Sequence, residues 1–274
     1  MLQIYMLYME AMTEPVYIAI KKSGLLELLR LMLQPYLVEC RHDFVTSGKM
    51  VYITEDEKES VIIQDGSSTL HVDKAHVVLE LQKLFVKKMQ LKAGYYFLHG
   101  AVISYNNKGI LLLGKSGAGK STLTAYLCSN GFQYVSDDKV IISGITNEVY
   151  PFTRLIQLRE DVLDILHKRH VYLETIDVDL YEYKRKSVIN IIPKKVDQID
   201  MVIALARKTD ICECAIRRMS GSDAIQALLW NGYSTNNIRE NIDMAISLSR
   251  KIPAYFMEYY NMEDACENLC RMCE

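Results

Sequence analysis

The spacing of apolar and polar positions divides the chain into a strand-rich beginning and a longer stretch in which strands and helices alternate. Residues 16–20 form a short continuous apolar run that reads as a strand, and residues 24–33 carry apolar side chains at helical spacing. Three β-branched runs follow at 49–54, 60–64 and 69–72, separated by the charged stretch 55–59 and by Asp65-Gly66, as in a meander of hairpins. From 74 to 89 the positions Val77, Val78, Leu81, Leu84, Phe85 and Met89 share one helical face opposite Glu80, Lys83 and Lys87. The pattern then predicts strands at 102–105 and 109–113, a helix from 121, a strand at 132–135 and a hairpin over 139–143 and 148–150. A helix is expected over 155–167, strands over 187–192 and 201–205, helices over 222–229 and 236–249, and a last strand at 253–257. Two lobes follow from this pattern: a small β-rich one over 1–72 and a larger α/β domain over 73–274.

Composition narrows the class. The chain has 274 residues, half of them hydrophobic, enough for a sizeable core. Its 32 basic and 34 acidic residues nearly cancel, so no global field recruits nucleic acid or a membrane surface. Seven cysteines without a regular framework fit a reducing, cytoplasmic setting. The apolar N-terminus lacks a basic leader region and is interrupted by Glu10 and Glu14, which argues against a signal peptide, and no uncharged apolar run is long enough for a membrane span. Cys266, Cys270 and Cys273 have the spacing of a three-cysteine iron–sulfur motif, but positions i, i+4 and i+7 share one helical face and read as packing residues. Cys212 and Cys214 read as structural positions on a strand, and Trp230 as a core or interface aromatic.

One stretch carries chemistry in its own spacing. Gly114, Lys115, Ser116, Gly117, Ala118, Gly119, Lys120 and Ser121, followed by Thr122, match the P-loop pattern, with an apolar strand before it and a helical pattern after it. Glycines let the backbone approach a phosphate so that successive N–H groups converge on its oxygens. A lysine here neutralises β- and γ-phosphate charge, and a short hydroxyl suits one coordination position of Mg²⁺. Two further signals bracket the loop: His99-Gly100 at the end of one strand, and Asp137-Asp138 at the carboxyl end of the next, where open α/β sheets place their ligands. One of two such carboxylates can take the proton of an attacking hydroxyl while the other binds Mg²⁺, and a histidine can donate to developing charge.

The segments around His99, the P-loop, and Asn130-Gly131 through Asp137-Asp138-Lys139 resemble the catalytic domain of HPr kinase/phosphorylase. They are still more similar to its compact relatives found in peptide-modification clusters, including the kinases of lasso-peptide tails. The resemblance covers roughly 95–265. It implies a P-loop kinase core of the HPr-kinase/PEP-carboxykinase-like type behind the small N-terminal lobe, and an ATP- and Mg²⁺-dependent transfer to a serine hydroxyl. The acceptor is left open among a peptide, a small protein and free serine, and homo-oligomerisation is left open with it. By position, Lys120 and Ser121 hold phosphate and Mg²⁺, Asp137 is the catalytic base, Asp138 binds metal and His99 lines the phosphate site. Arg154, Arg159, Lys184 and Arg185 are candidates for contacting phosphate or an acidic acceptor. Where the bifunctional enzymes carry Glu-x-Arg-Gly, this chain has Gln157 and Glu160 around Arg159, which points to a kinase without phosphorolysis. The rival readings are a nucleotide-dependent peptide-binding or chaperone module and a P-loop ATPase without kinase activity.

Overall fold

The computed structural model describes all residues except 1, 22–23, 34–35, 41–48, 56–59, 74–75, 90, 93, 152–154, 178–184, 189–195 and 233–237. The chain forms two compact units, one of Met1–Lys92 with Asp177–Lys186, the other of Ala93–Ile176 with Ser187–Glu274. The boundary expected near 72 therefore falls at 92/93. The reason is the helix over 77–88, which packs on the last strand of the first unit.

The first unit contains β1 (Leu2–Leu7), β2 (Val16–Lys21), α1 (Gly24–Leu33), β3 (Leu37–Cys40), β4 (Lys49–Glu55), β5 (Ser60–Asp65), β6 (Ser68–Asp73) and α2 (Val77–Lys88). Its six strands make one sheet in the order β3-β1-β2-β4-β5-β6. All described pairings are antiparallel except β2 with β4, because α1 and β3 intervene between them in sequence and allow the chain to return parallel. β1 comes from the apolar N-terminus, which the sequence analysis left without an element. β4, β5 and β6 form the expected meander.

The second unit begins with β7 (Tyr95–Leu98), β8 (Ala101–Tyr105), β9 (Lys108–Leu113), α3 (Lys120–Ser129), β10 (Gln133–Ser136), β11 (Val140–Ser143) and β12 (Val149–Pro151). There follow β13 (Ile156–Arg159), α4 (Glu160–His167), β14 (Thr175–Asp177) and β15 (Arg185–Val188), the last two cut by the division between the units at Ile176/Asp177 and Lys186/Ser187, then β16 (Met201–Arg207), β17 (Ala215–Arg218), α5 (Gly221–Asn231), α6 (Ile238–Lys251), β18 (Ala254–Tyr259) and α7 (Met262–Cys273). Its main sheet has the order β10-β8-β9-β16-β18-β17, with β9, β16 and β18 parallel, and a small antiparallel sheet runs β12-β11-β7. A central parallel strand is buried on both faces, and β9 is: Ile110 and Leu112 enter one core with α3, α4 and α7, whereas Leu111 and Leu113 enter the other with α5 and α6.

Three expectations change here. The helix expected over 155–167 is β13 followed by α4, since the first turn of that pattern is taken into a strand. Cys212 and Cys214 precede β17 and are not on a strand. Trp230 is neither core nor packed interface within the described residues; it stands 70% exposed. Cys266, Cys270 and Cys273 lie on α7 and pack on the core it shares with α3, and no group of three or more His, Cys, Asp or Glu side chains is placed to hold a metal among the described residues. No described helix is long and apolar enough to cross a membrane.

Candidate active site

The site collects at the carboxyl ends of β9 and β10. β8 is antiparallel to both, so β9 and β10 run in one direction and deliver their following loops to the same sheet edge. After β9 the chain turns through the P-loop into α3. Gly117 and Gly119 have φ of 84° and 85°, the left-handed region that glycine enters without strain. At Gly119 space is limiting as well, because a Cβ there would stand 2.5 Å from the Tyr259 hydroxyl. That hydroxyl, whose pKa burial pushes up to about 12, donates to the Ala118 carbonyl at 2.9 Å and pins the loop to the end of β18.

Gly119 is also the residue that caps α3, and it has no side chain with which to occupy the N–H groups of the first turn. Those groups and the positive end of the helix dipole make a cradle for an anion. Lys120 is buried, and its Nζ donates to the carbonyls of Gly114 at 2.6 Å and Lys115 at 3.4 Å. Burial lowers its pKa, and the nearby carboxylates of Asp137 and Asp138 pull it partly back.

Across from the loop, β10 shifts register between Tyr134 and Ser136, a bulge that re-aims the residues at the strand end. A tight turn follows: Ser136 Oγ donates to the Lys139 carbonyl at 2.8 Å, Lys139 N donates to the Asp137 carbonyl at 2.9 Å, and Asp138 takes φ of 68°. This turn sends the two neighbouring aspartates to different partners. Asp137 is 3% exposed and accepts a hydrogen bond from the Ser121 hydroxyl. Burial drives its pKa from 3.8 up to about 6, although the Ser121 bond and the charge of Lys120 oppose the rise.

The Asp138 side chain is 44% exposed. Its Oδ1 lies 3.2 Å from His99 Nδ1, and the Lys139 ammonium donates to Oδ2 at 2.6 Å. Partial burial would raise this carboxyl, but His99 and Lys139 outweigh it and hold Asp138 well below the usual carboxylate range. His99 Nδ1 is also 2.9 Å from the Asp138 carbonyl oxygen, and its backbone N–H donates to the Asn231 carbonyl at 2.6 Å. Asn231 in turn accepts from the Gly114 N–H through its side chain at 3.4 Å.

The structure therefore brings together His99, Gly114 through Ser121, Asp137 and Asp138. Thr122 follows Ser121 in the first turn of α3. Arg159 is not drawn in: it is exposed at the end of β13 and pairs with Asp161 at 3.1 Å. Arg154 and Lys184 lie outside the described residues, and Arg185 is described only as a position in β15. Lys139, Asn231 and Tyr259 were missed by the sequence reading. Lys139 had a signal, a cation directly after two acids; the other two come from distant elements and had none.

The donor set fits Mg²⁺ with a nucleotide. A hydroxyl and two carboxylates are hard oxygen ligands, and Mg²⁺ characteristically takes one or two carboxylates and completes its shell with phosphate oxygens and water. The left-handed glycines and the first turn of α3, capped by a residue without a side chain, suit the phosphates.

Comparison with known proteins finds similarity over the same stretch of sequence. The sequence model of the family described as HPr Serine kinase C-terminal domain matches residues 91–211, which hold every residue of the cluster except Asn231 and Tyr259. Over those residues the chain is similar to the HPr kinase C-terminal domain. An HPr kinase/phosphorylase of Lachnoclostridium phytofermentans is 26% identical over 182 residues, covering 66% of this chain and 52% of the relative. That of Malacoplasma penetrans is 27% identical over 117 residues, 43% of this chain and 36% of the relative. The chain thus spans only between about a third and a half of these relatives. A solved structure, the Hpr(Ser) kinase/phosphatase from Coxiella burnetii, covers 64% of this chain and 96% of its own at 13% identity, with a TM-score of 0.32.

Proposed function

We propose that the protein is an ATP- and Mg²⁺-dependent kinase that transfers the γ-phosphate to a serine hydroxyl on a peptide or small protein. The observation that carries the reading is the pairing at one sheet edge: Ser121 with Asp137, and His99 with Asp138, both facing the P-loop lysine. A nucleotide switch needs the cradle and a metal carboxylate. It has no use for a second carboxylate held ionised and within reach of solvent beside a histidine.

Burial and partners favour a division of roles opposite to the one expected from sequence. Asp137 is enclosed and shares Ser121, the arrangement by which P-loop proteins hold Mg²⁺ through a hydroxyl and a strand-end aspartate. Asp138 is the carboxylate that an incoming hydroxyl can reach. It would accept the proton of that hydroxyl as the phosphoryl group leaves ADP, with His99 fixing its orientation and Lys139 balancing its charge. Lys120 and the first-turn N–H groups of α3 would hold the phosphates in line. Bound Mg²⁺ would neutralise charge on the transferring phosphoryl group. Phosphoryl transfer proceeds largely through positioning and charge neutralisation, so a base of low pKa suffices: the proton moves late.

The test is mass spectrometry of serine-containing peptides and free serine incubated with ATP, Mg²⁺ and either wild type, Asp138→Asn or Asp137→Asn. Wild type adds phosphate. Asp138→Asn lowers turnover by about 10²- to 10⁴-fold, the scale of a lost general base, and keeps ATP affinity. Asp137→Asn instead raises the Mg²⁺ concentration needed for half-maximal rate. Binding of ATP by wild type without transfer to any acceptor would sink the kinase reading in favour of a switch.

A further inference from the structure

The α5 helix buries Ala224 and Leu228, and Trp230 lies two residues beyond Leu228, about 200° round the helix at 100° per residue, hence off the packed face. An exposed aromatic alone means little; its position here is fixed by three contacts. Asn231, the next residue, binds both the His99 N–H and the Gly114 N–H, and Tyr96 Oη donates to the Leu228 carbonyl at 3.2 Å. The Lys115 ammonium stands 5.9 Å from the indole centroid. The only tryptophan of the chain is thereby held, 70% exposed, at the rim of the P-loop.

The end of the P-loop at which it stands decides its use. Lys120, the residue that meets the transferring phosphate, reaches back to the carbonyls of Gly114 and Lys115. Lys115 and Trp230 therefore flank the transfer end, where the next residue, Asn231, holds the His99 N–H. A platform for the nucleotide base would have to lie at the opposite end of the triphosphate. Resting on the kinase reading, we infer that Trp230 is a docking residue for the acceptor, and that the acceptor is a peptide with an apolar or aromatic side chain near the accepting serine, packed on the indole. Tryptophan suits this role because it offers a large rigid face at little entropic cost. Free serine has no side chain for that face and is excluded as the preferred acceptor.

The experiment incubates a pool of short serine peptides of randomised flanks with ATP, Mg²⁺ and wild type, Trp230→Ala or Trp230→Phe. Wild-type products are enriched in an apolar or aromatic residue at a fixed distance from the phosphoserine. Trp230→Ala raises KM for a selected peptide by about threefold to tenfold, the scale of one aromatic contact, with ATP affinity unchanged, and Trp230→Phe recovers most of it. Tryptophan emission of the wild type, which needs no variant, shifts to the blue when the selected peptide binds. The inference is overturned by unbiased products, by enrichment that survives in Trp230→Ala, or by a blue shift with ATP that inorganic tripolyphosphate does not produce, which would make Trp230 a base platform. Absence of any phosphorylated peptide with wild type would overturn the kinase reading and this inference together; the other outcomes leave the kinase standing.

Discussion

Two adjacent aspartates have opposite electrostatic fates in this protein, and the difference is measurable. Burial moves the Asp137 carboxyl from 3.8 up to about 6, whereas His99 and Lys139 hold Asp138 below the usual range. The folded chain thus binds the Asp137 proton more tightly than the unfolded chain does. That contribution to stability is complete below pH 3.8 and is lost as pH rises through about 6, amounting to about 3 kcal/mol at 1.36 kcal/mol per unit. In chelator, Asp137→Asn should therefore be more stable than wild type above pH 6 and indistinguishable from it below about pH 4, as thermal unfolding across that range will show. A variant destabilised at pH 7.5 would mean that the ionised carboxylate is held by a net favourable field in the metal-free protein. Asp138 has the opposite sign: its ionised form stabilises the fold above the unfolded value and that contribution is lost only in strong acid. The site thus keeps one carboxylate that costs stability until a cation arrives and one that is charged throughout.

At the scale of elements, the sequence was informative wherever one local period decided the outcome. The P-loop, its flanking strand and helix, the β4–β6 meander and the β11–β12 hairpin all follow from spacing and turn residues. It failed where tertiary pairing overrode the pattern. Residues 156–159 have apolar positions that suit a helix, yet pair as β13, and the N-terminal run that became β1 is a strand because β2 and β3 flank it. The site was legible as a trio of motifs but not as a geometry, because nothing local says that Asp137 meets Ser121 while Asp138 meets His99, or that Asn231 arrives from α5. Strand β9 offers a sharp test of the two-faced core. Leu111 and Leu112 point into different clusters, so alanine at either should cost about 2–5 kcal/mol, the range for a fully buried leucine. Native-state hydrogen exchange at the β9 and β16 amides reads both losses directly. A negligible effect at one of the two would show that its face is not packed.

For the whole molecule, the proposed kinase reading leads to a prediction about the reverse reaction. The chain aligns with between about a third and a half of the length of the HPr kinase/phosphorylases, and the alignment is centred on the P-loop region. If the resemblance drawn from sequence holds here, Gln157-Leu158-Arg159-Glu160 falls roughly where those enzymes carry Glu-x-Arg-Gly, with an amide in place of the carboxylate and an acid in place of glycine. Arg159 is turned to Asp161. Phosphorolysis requires the site to hold inorganic phosphate beside a phosphoserine, two anions where the forward reaction brings one anion and a neutral hydroxyl. The segment's net charge is unchanged, since the carboxylate absent at 157 reappears at 160; what differs is its place, and the resemblance implies that this displacement disables phosphorolysis. The phosphorylated peptide, incubated with enzyme, Mg²⁺ and excess inorganic phosphate, should therefore keep its phosphate, with no pyrophosphate formed, under conditions in which the forward reaction runs. Gln157→Glu with Glu160→Gly, tested together, shows whether the segment is the cause: release of the phosphate by that double variant assigns the loss of phosphorolysis to these two positions. Pyrophosphate formed by the wild type would show instead that the reverse reaction does not depend on them.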